Sequence, residues 1–160
     1  MQQNIMDIIK PVWGTEPKNW TGAASTGDYV SLKGYTNLTI FILSGAWAGG
    51  TAAVTVEQAT AVAGTGTKAL ALTEMWMDTA ATGTFVKTAV TSNTFNLGTA
   101  NSVWVIELDA RSLDIAGGFD CVTVKGASPG ANADFYGALY VLHGARYQGG
   151  QPMTLSGILD

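Results

Sequence analysis

The stretch Asn37-Leu38-Thr39-Ile40-Phe41-Ile42-Leu43 decides the class of fold. Extended chain turns successive side chains to opposite faces. Leu38, Ile40 and Ile42 therefore share one face, and Thr39, Phe41 and Leu43 the other. A short run that is apolar on both sides and rich in β-branched residues reads as a strand buried on both faces. Gly34 closes the short strand expected before it, Tyr29–Lys33, and Gly45 with Gly49-Gly50 makes the turn after it.

The same grammar continues outward. Ala53–Gln58 sets Val54 and Val56 on one face, and a small-residue loop leads to a strand expected over Lys68–Met77. There Leu70, Leu72, Glu74 and Trp76 point one way. Phe85–Thr91, Ser102–Asp109, Phe119–Lys125 and Phe135–His143 complete the set, with Trp104, Ile106 and Leu108 sharing a face. Trp76 and Trp104 stand among apolar strand neighbours and are expected in the core. Short strands at this spacing build sandwiches or barrels. Strand–helix–strand alternation, the mark of a parallel sheet, is missing. The expected fold is all-β: a single antiparallel β-sandwich of about eight strands, with a jelly roll among the topologies that fit.

The two ends read differently. Residues 1–27 hold the apolar cluster Ile5, Met6, Ile8 and Ile9, then Pro11, Pro17 and the small-residue stretch Thr21–Gly27. Pro11 stops any helix, and Trp13 and Trp20 sit in a segment without periodicity. Such side chains need a surface to cover. The expected division is an N-terminal arm over 1–27, a β core over 28–147 and a C-terminal tail over 148–160. The tail carries Gly149-Gly150, Pro152 and Gly157 and then Ile158-Leu159. The residues expected to bind a partner are Ile5, Ile8, Ile9, Trp13, Trp20, Ile158 and Leu159. Trp47, in the turn between Gly45 and Gly50, joins them.

Charged residues make up 12% of the chain, about half the usual share, against 47% hydrophobic. That excludes a disordered chain and suits a surface covered largely by protein neighbours. The net charge of -4 comes with scattered Lys and Arg, which gives no footprint for gripping phosphates, so no nucleic acid partner is expected. Cys121 is the one cysteine, so no intramolecular disulfide can form. No signal peptide is recognised near Met1, and no apolar run is long enough to cross a bilayer. Synthesis in the cytoplasm and no membrane partner are the expectation.

Candidate chemistry is sparse. His143 is the sole histidine, so a metal site or a Ser–His–Asp arrangement would have to be built around it. Asp109, Asp114 and Asp120 fall in one connection, but their spacing is not that of a calcium loop. Asp109 is expected to cap a helical turn, with Arg111 or Lys125 offsetting the carboxylates. Gly64-Thr65-Gly66-Thr67-Lys68 lacks the Gly-Lys-Ser/Thr step of a phosphate loop and is read as a hairpin loop. Neither an enzyme nor a bound cofactor or metal is expected.

Several strings stand out together. They are Val56-Glu57-Gln58-Ala59-Thr60, then Gly64-Thr65-Gly66 and Lys68-Ala69-Leu70, with Gly118-Phe119-Asp120-Cys121-Val122. Gly137-Ala138-Leu139-Tyr140-Val141-Leu142, leading to Ala145-Arg146-Tyr147, completes them. In this texture the chain, over roughly residues 36 to 147, resembles a group of small virion proteins encoded among the head genes of tailed bacteriophages and prophages. The resemblance implies a non-enzymatic capsid decoration or minor capsid protein. Its partner would be the major capsid protein, and its location the head surface of the virion. It also implies a homo-oligomer, with a trimer preferred because such proteins often occupy threefold positions. A tail, neck or baseplate subunit and a carbohydrate-binding module using Trp47 are the alternatives.

Overall fold

Alternation of apolar and polar side chains dominates this chain, and the computed structural model, which describes residues 5–146, turns it almost wholly into strands. In chain order they are β1 (Ile9–Asn19), β2 (Ser25–Thr26), β3 (Val30–Ser31), β4 (Tyr35–Trp47), β5 (Ala52–Ala59) and β6 (Lys68–Ala69). There follow β7 (Glu74–Asp78), β8 (Val86–Ala89), β9 (Thr94–Leu97), β10 (Ser102–Asp109), β11 (Cys121–Gly126) and β12 (Asp134–Ala145). The helical pieces among the described residues are single 3-10 turns, at Ile5–Asp7, Ala110–Ser112 and Ile115–Gly117.

Two antiparallel sheets face each other. The first has the order β1-β12-β4-β10-β7-β8, and the second β2-β11-β5-β6, with β3 beside β11 and β9 beside β5. The all-β sandwich expected from the periodicity is therefore the fold. Between the sheets lie Leu38, Ile40, Ile42, Trp104, Ile106, Tyr140 and Leu142 from the first sheet. Val54, Val56, Phe95, Leu97, Val122 and Val124 meet them from the second. Each buried aliphatic side chain contributes roughly 1.5–3 kcal/mol, which is what sets the register of the central strands.

Four expectations need correcting. β4 is buried on one face only: Ile40 is sealed while Leu43 is 49% exposed and Phe41 half-buried. A sandwich covers one side of each sheet, so the second apolar face of β4 has no layer over it.

The arm expected over residues 1–27 is a structural part of the sheet from Ile9 onward. β1 pairs with β12 from Ile9↔His143 to Asn19↔Phe135, with register shifts around Thr15. Pro11 and Pro17, which argued against order, are compatible with an edge strand because that strand needs donors on one side only. Gly14 at the first shift lies against the Tyr140 ring, where a Cβ would stand 2.5 Å from it. Trp20 is buried in the core, and its indole N–H donates to the Tyr136 carbonyl at 3.0 Å.

The strand expected over Lys68–Met77 is two strands on different sheets, β6 and β7. The chain between them crosses the sandwich edge, burying Leu70 and Leu72 on the way. Trp76, expected in the core, is 36% exposed on the outer side of the first sheet. The crossing breaks the alternation on which its inward assignment rested. The expected tail over 148–160 lies outside the described residues.

Candidate interaction surface

The uncovered side of the first sheet carries one continuous row of side chains. Cross-strand pairing runs Trp13↔Leu139, Leu139↔Phe41, Phe41↔Val105, Val105↔Trp76 and Trp76↔Lys87. The row thus reads Trp-Leu-Phe-Val-Trp across β1, β12, β4, β10 and β7, and meets its first charge, Lys87, on β8. Trp13 is 61% exposed, and Leu139, Phe41 and Val105 are half-buried.

Neighbouring rows extend the patch. On one side Leu43 pairs with Val103 and with Gly137, over which Pro17 of β1 lies. Phe135 is exposed beyond it on β12. On the other side Pro11, Val141, Thr39 and Glu107 form the next row, then Ile9, His143, Asn37 and Asp109. Polar groups enter the face at its β7–β8 side, through Asp78, which pairs with Val103, and Lys87, as well as toward that end. His143 Nε2 lies 3.1 Å from Thr39 Oγ1 there, a side-chain pair on the sheet surface.

The second sheet's outer side is built differently. A matching row there reads Thr26, Lys125, Thr55 and Thr94. Lys125 donates to Glu57 at 2.6 Å beside the Tyr29 ring. One layer thus presents an apolar outside and the other a polar one.

The residues expected to bind a partner fall in different places. Trp13 stands in the row, Ile9 is half-buried at its polar end, and Ile5 and Ile8 are exposed at the 3-10 turn leading into β1. Trp20 is core. Trp47 packs on Tyr136 and donates its indole N–H to the Gly50 carbonyl at 3.1 Å, so it is held rather than presented. Buried Asp134 fixes that turn by accepting the Ala48 N–H at 2.6 Å. Ile158 and Leu159 lie outside the described residues. Phe41, Leu43, Val103, Val105, Leu139 and Trp76 were missed as surface residues. Their signal was present, since strands apolar on both faces in an antiparallel sandwich must leave one of those faces uncovered.

The acidic connection after β10 is taken up by local contacts. Asp109 accepts the Arg111 N–H at 2.8 Å and a two-pronged contact from its guanidinium, which holds the carboxyl down at about 2. Asp114 accepts from the Lys68 ammonium and the Gly117 N–H, whereas Lys125 turns to Glu57 instead. Gly64-Thr65-Gly66 links β5 to its hairpin partner β6. Cys121 is buried beside Asp120, and burial pushes its thiol up to about 12, which leaves it protonated and unreactive. Among the described residues, no group of three His, Cys, Asp or Glu side chains converges on a metal-sized space. No helix among them is long and apolar enough to cross a membrane.

No protein-family model matches the chain. No curated protein matches it either. The fold is similar to the crystal structure of the SPBc2 prophage-derived protein YomS, with a TM-score of 0.47 and 14% sequence identity, over 84% of this chain and 91% of that one.

Proposed function

We propose that this chain is a non-enzymatic structural subunit of a phage virion, a decoration or minor capsid protein attached to the outside of the head. The observation that carries the structural role is the apolar row Trp13–Leu139–Phe41–Val105–Trp76 on the open side of a sheet. A surface of that kind marks an interaction site, since water is a poor neighbour for so much contiguous apolar area.

The placement in a virion rests on the sequence strings that resemble head-gene proteins of tailed phages. Strand order supports it at the level of fold. The set β1-β12-β4-β10 stands against β2-β11-β5-β6, which we read as a jelly roll with the β7–β8 hairpin added at one edge. Jelly rolls serve viral capsids and lectins alike, so the order alone assigns no role.

Co-sedimentation with purified heads and purified tails of the encoding phage tests the proposal. Binding to heads, weakened by Leu43→Lys, is the expected result. Binding to tails alone would move the protein to the tail, and binding to neither would overturn the virion role.

A further inference from the structure

We propose that the outer face of the first sheet is the contact between two copies of this chain, packed face to face about a two-fold axis running along β4. The inference rests on the reading of that face as a covered interface, and it names what covers it.

The row itself carries the argument. Read from either end it alternates aromatic and aliphatic, Trp13, Leu139, Phe41, Val105, Trp76, with Phe41 at its centre on β4. A two-fold axis along β4 exchanges β12 with β10 and β1 with β7. Leu139 then lies over the second copy's Val105, Trp13 over its Trp76, and Phe41 over its own counterpart. A two-fold contact requires one patch to complement itself, and this order of side chains meets that requirement.

Area agrees with it. Six strands spaced about 4.8 Å apart span about 24 Å, and four rows along the strands about 20 Å, or on the order of 500 Å² in projection per copy. Two such faces reach on the order of 1,000 Å² before side-chain relief is added, the size a specific interface needs. The row through Phe41 carries no charged side chain before its rim, while in the next two rows the axis sets Glu107 over the second copy's Val141 and Asp109 over its His143. Lys87, at the rim, is paired with Glu74 at 2.7 Å. Edge-to-edge joining through β1 is blocked by Pro11 and Pro17, so stacking of faces is the open route. Sheets stack about 10 Å apart with strands nearly aligned. Such a contact produces even-numbered assemblies, unlike the threefold arrangement that the sequence resemblance implies.

Sedimentation equilibrium of the full chain tests this without any capsid present. A dimer, or a higher even-numbered species, is expected at micromolar concentration. Val105→Glu and Leu43→Lys should each raise the dissociation constant at least about 100-fold, because each buries an unpaired charge in the contact. Thr94→Lys, on the polar sheet, should leave it unchanged. Leu43→Lys is already solvent-facing in the single chain, so its circular dichroism and melting should match the parent where Val105→Glu fails to fold. A short bismaleimide should join two copies of Phe41→Cys through residue 41, since its reach spans the about 10 Å between stacked sheets where a disulfide would not, with Cys121 buried and inert. A monomeric parent would overturn the proposal even if Leu43→Lys abolished head binding, which would assign the face to the capsid instead. An oligomer indifferent to Leu43→Lys would overturn it as well.

Discussion

The Tyr140 hydroxyl oxygen accepts the backbone N–H of Val124 at 2.9 Å, joining the two sheets through the middle of the core. The contact exists because β11 loses its ladder partner between β2 and β3. There the chain bows away, so that the Gly27 N–H still reaches the Val124 carbonyl while the Asp28 N–H turns to the Gly14 carbonyl of β1. Tyr140, fully buried, fills the gap with the one polar atom it carries. A buried amide must find a partner somewhere, and here the partner comes from the facing layer.

Tyr140→Phe removes that acceptor with almost no change in volume. The Val124 N–H is left buried and unpaired, so the variant should fold but lose roughly 1–3 kcal/mol. Urea denaturation of the two proteins side by side measures it. A difference below a few tenths of a kcal/mol would show that water replaces the hydroxyl.

Alkaline pH should destabilise the protein through the same residue. Burial pushes the Tyr140 phenol up to about 12, and raises Tyr136 as well. The unfolded chain releases these protons near pH 10 while the folded chain retains them. The stabilisation is therefore complete below pH 10 and is lost as pH rises toward 12. Tyr140 alone accounts for roughly 2 kcal/mol of that loss. The buried Cys121 thiol, also held near 12, acts in the same direction from about pH 9. A series of denaturation curves between pH 8 and pH 12 should fall for the parent and fall less for Tyr140→Phe.

Two tryptophans on adjacent strands separate inside from outside. Trp104 on β10 is 2% exposed, whereas Trp76 on β7 stands in the outer row. Trp104→Ala should cost roughly 3–5 kcal/mol through the cavity it leaves. Trp76→Ala should cost far less in a dilute, unassembled sample and should show its effect on self-association instead. Equal losses in the isolated chain would put both rings in the core.

How far the sequence could be read follows from which neighbours each residue has. Strands β4, β5, β10, β11 and β12 were legible because their inward residues alternate without interruption, as Trp104, Ile106 and Leu108 do. β1 was not, since Pro11, Gly14 and Pro17 break every local signal of a strand, and its order comes from β12 beside it. The short β9, Thr94–Leu97, was missed for the same reason: its ladder with β5 lies far away in sequence. The candidate site was half legible. Trp20, expected to cover a partner's surface, is buried in the chain's own core. Trp13 belongs instead to a face assembled from five strands, and no single stretch of chain contains that face.

Gly137→Ala should weaken the seam between β1 and β12. An added Cβ would stand 2.7 Å from Pro17 Cα, a backbone atom that cannot swing aside. β1 would have to move outward, at a cost of roughly 1–3 kcal/mol for overpacking. Gly34→Ala, where nothing lies within 4 Å, is the matched control and should be close to neutral. Thermal melts of the pair decide the matter.

Deleting residues 1–20 gives the sharpest test of the place of β1. Were these residues an arm, the remainder would stay folded and lose only its attachments. In the structure the deletion strips β1 from β12, uncovers the N–H and C=O groups along that strand, and removes Trp20 from the core. Loss of the Trp20 ring alone should cost roughly 3–5 kcal/mol, a large part of the roughly 5–15 kcal/mol that holds a domain together. The bared, flat edge of β12 is also the kind of edge that pairs with other chains. The truncated protein should therefore be unfolded or aggregated, with no cooperative melt by circular dichroism. A soluble truncation that melts cooperatively near the parent's temperature would return residues 1–20 to the status of an arm.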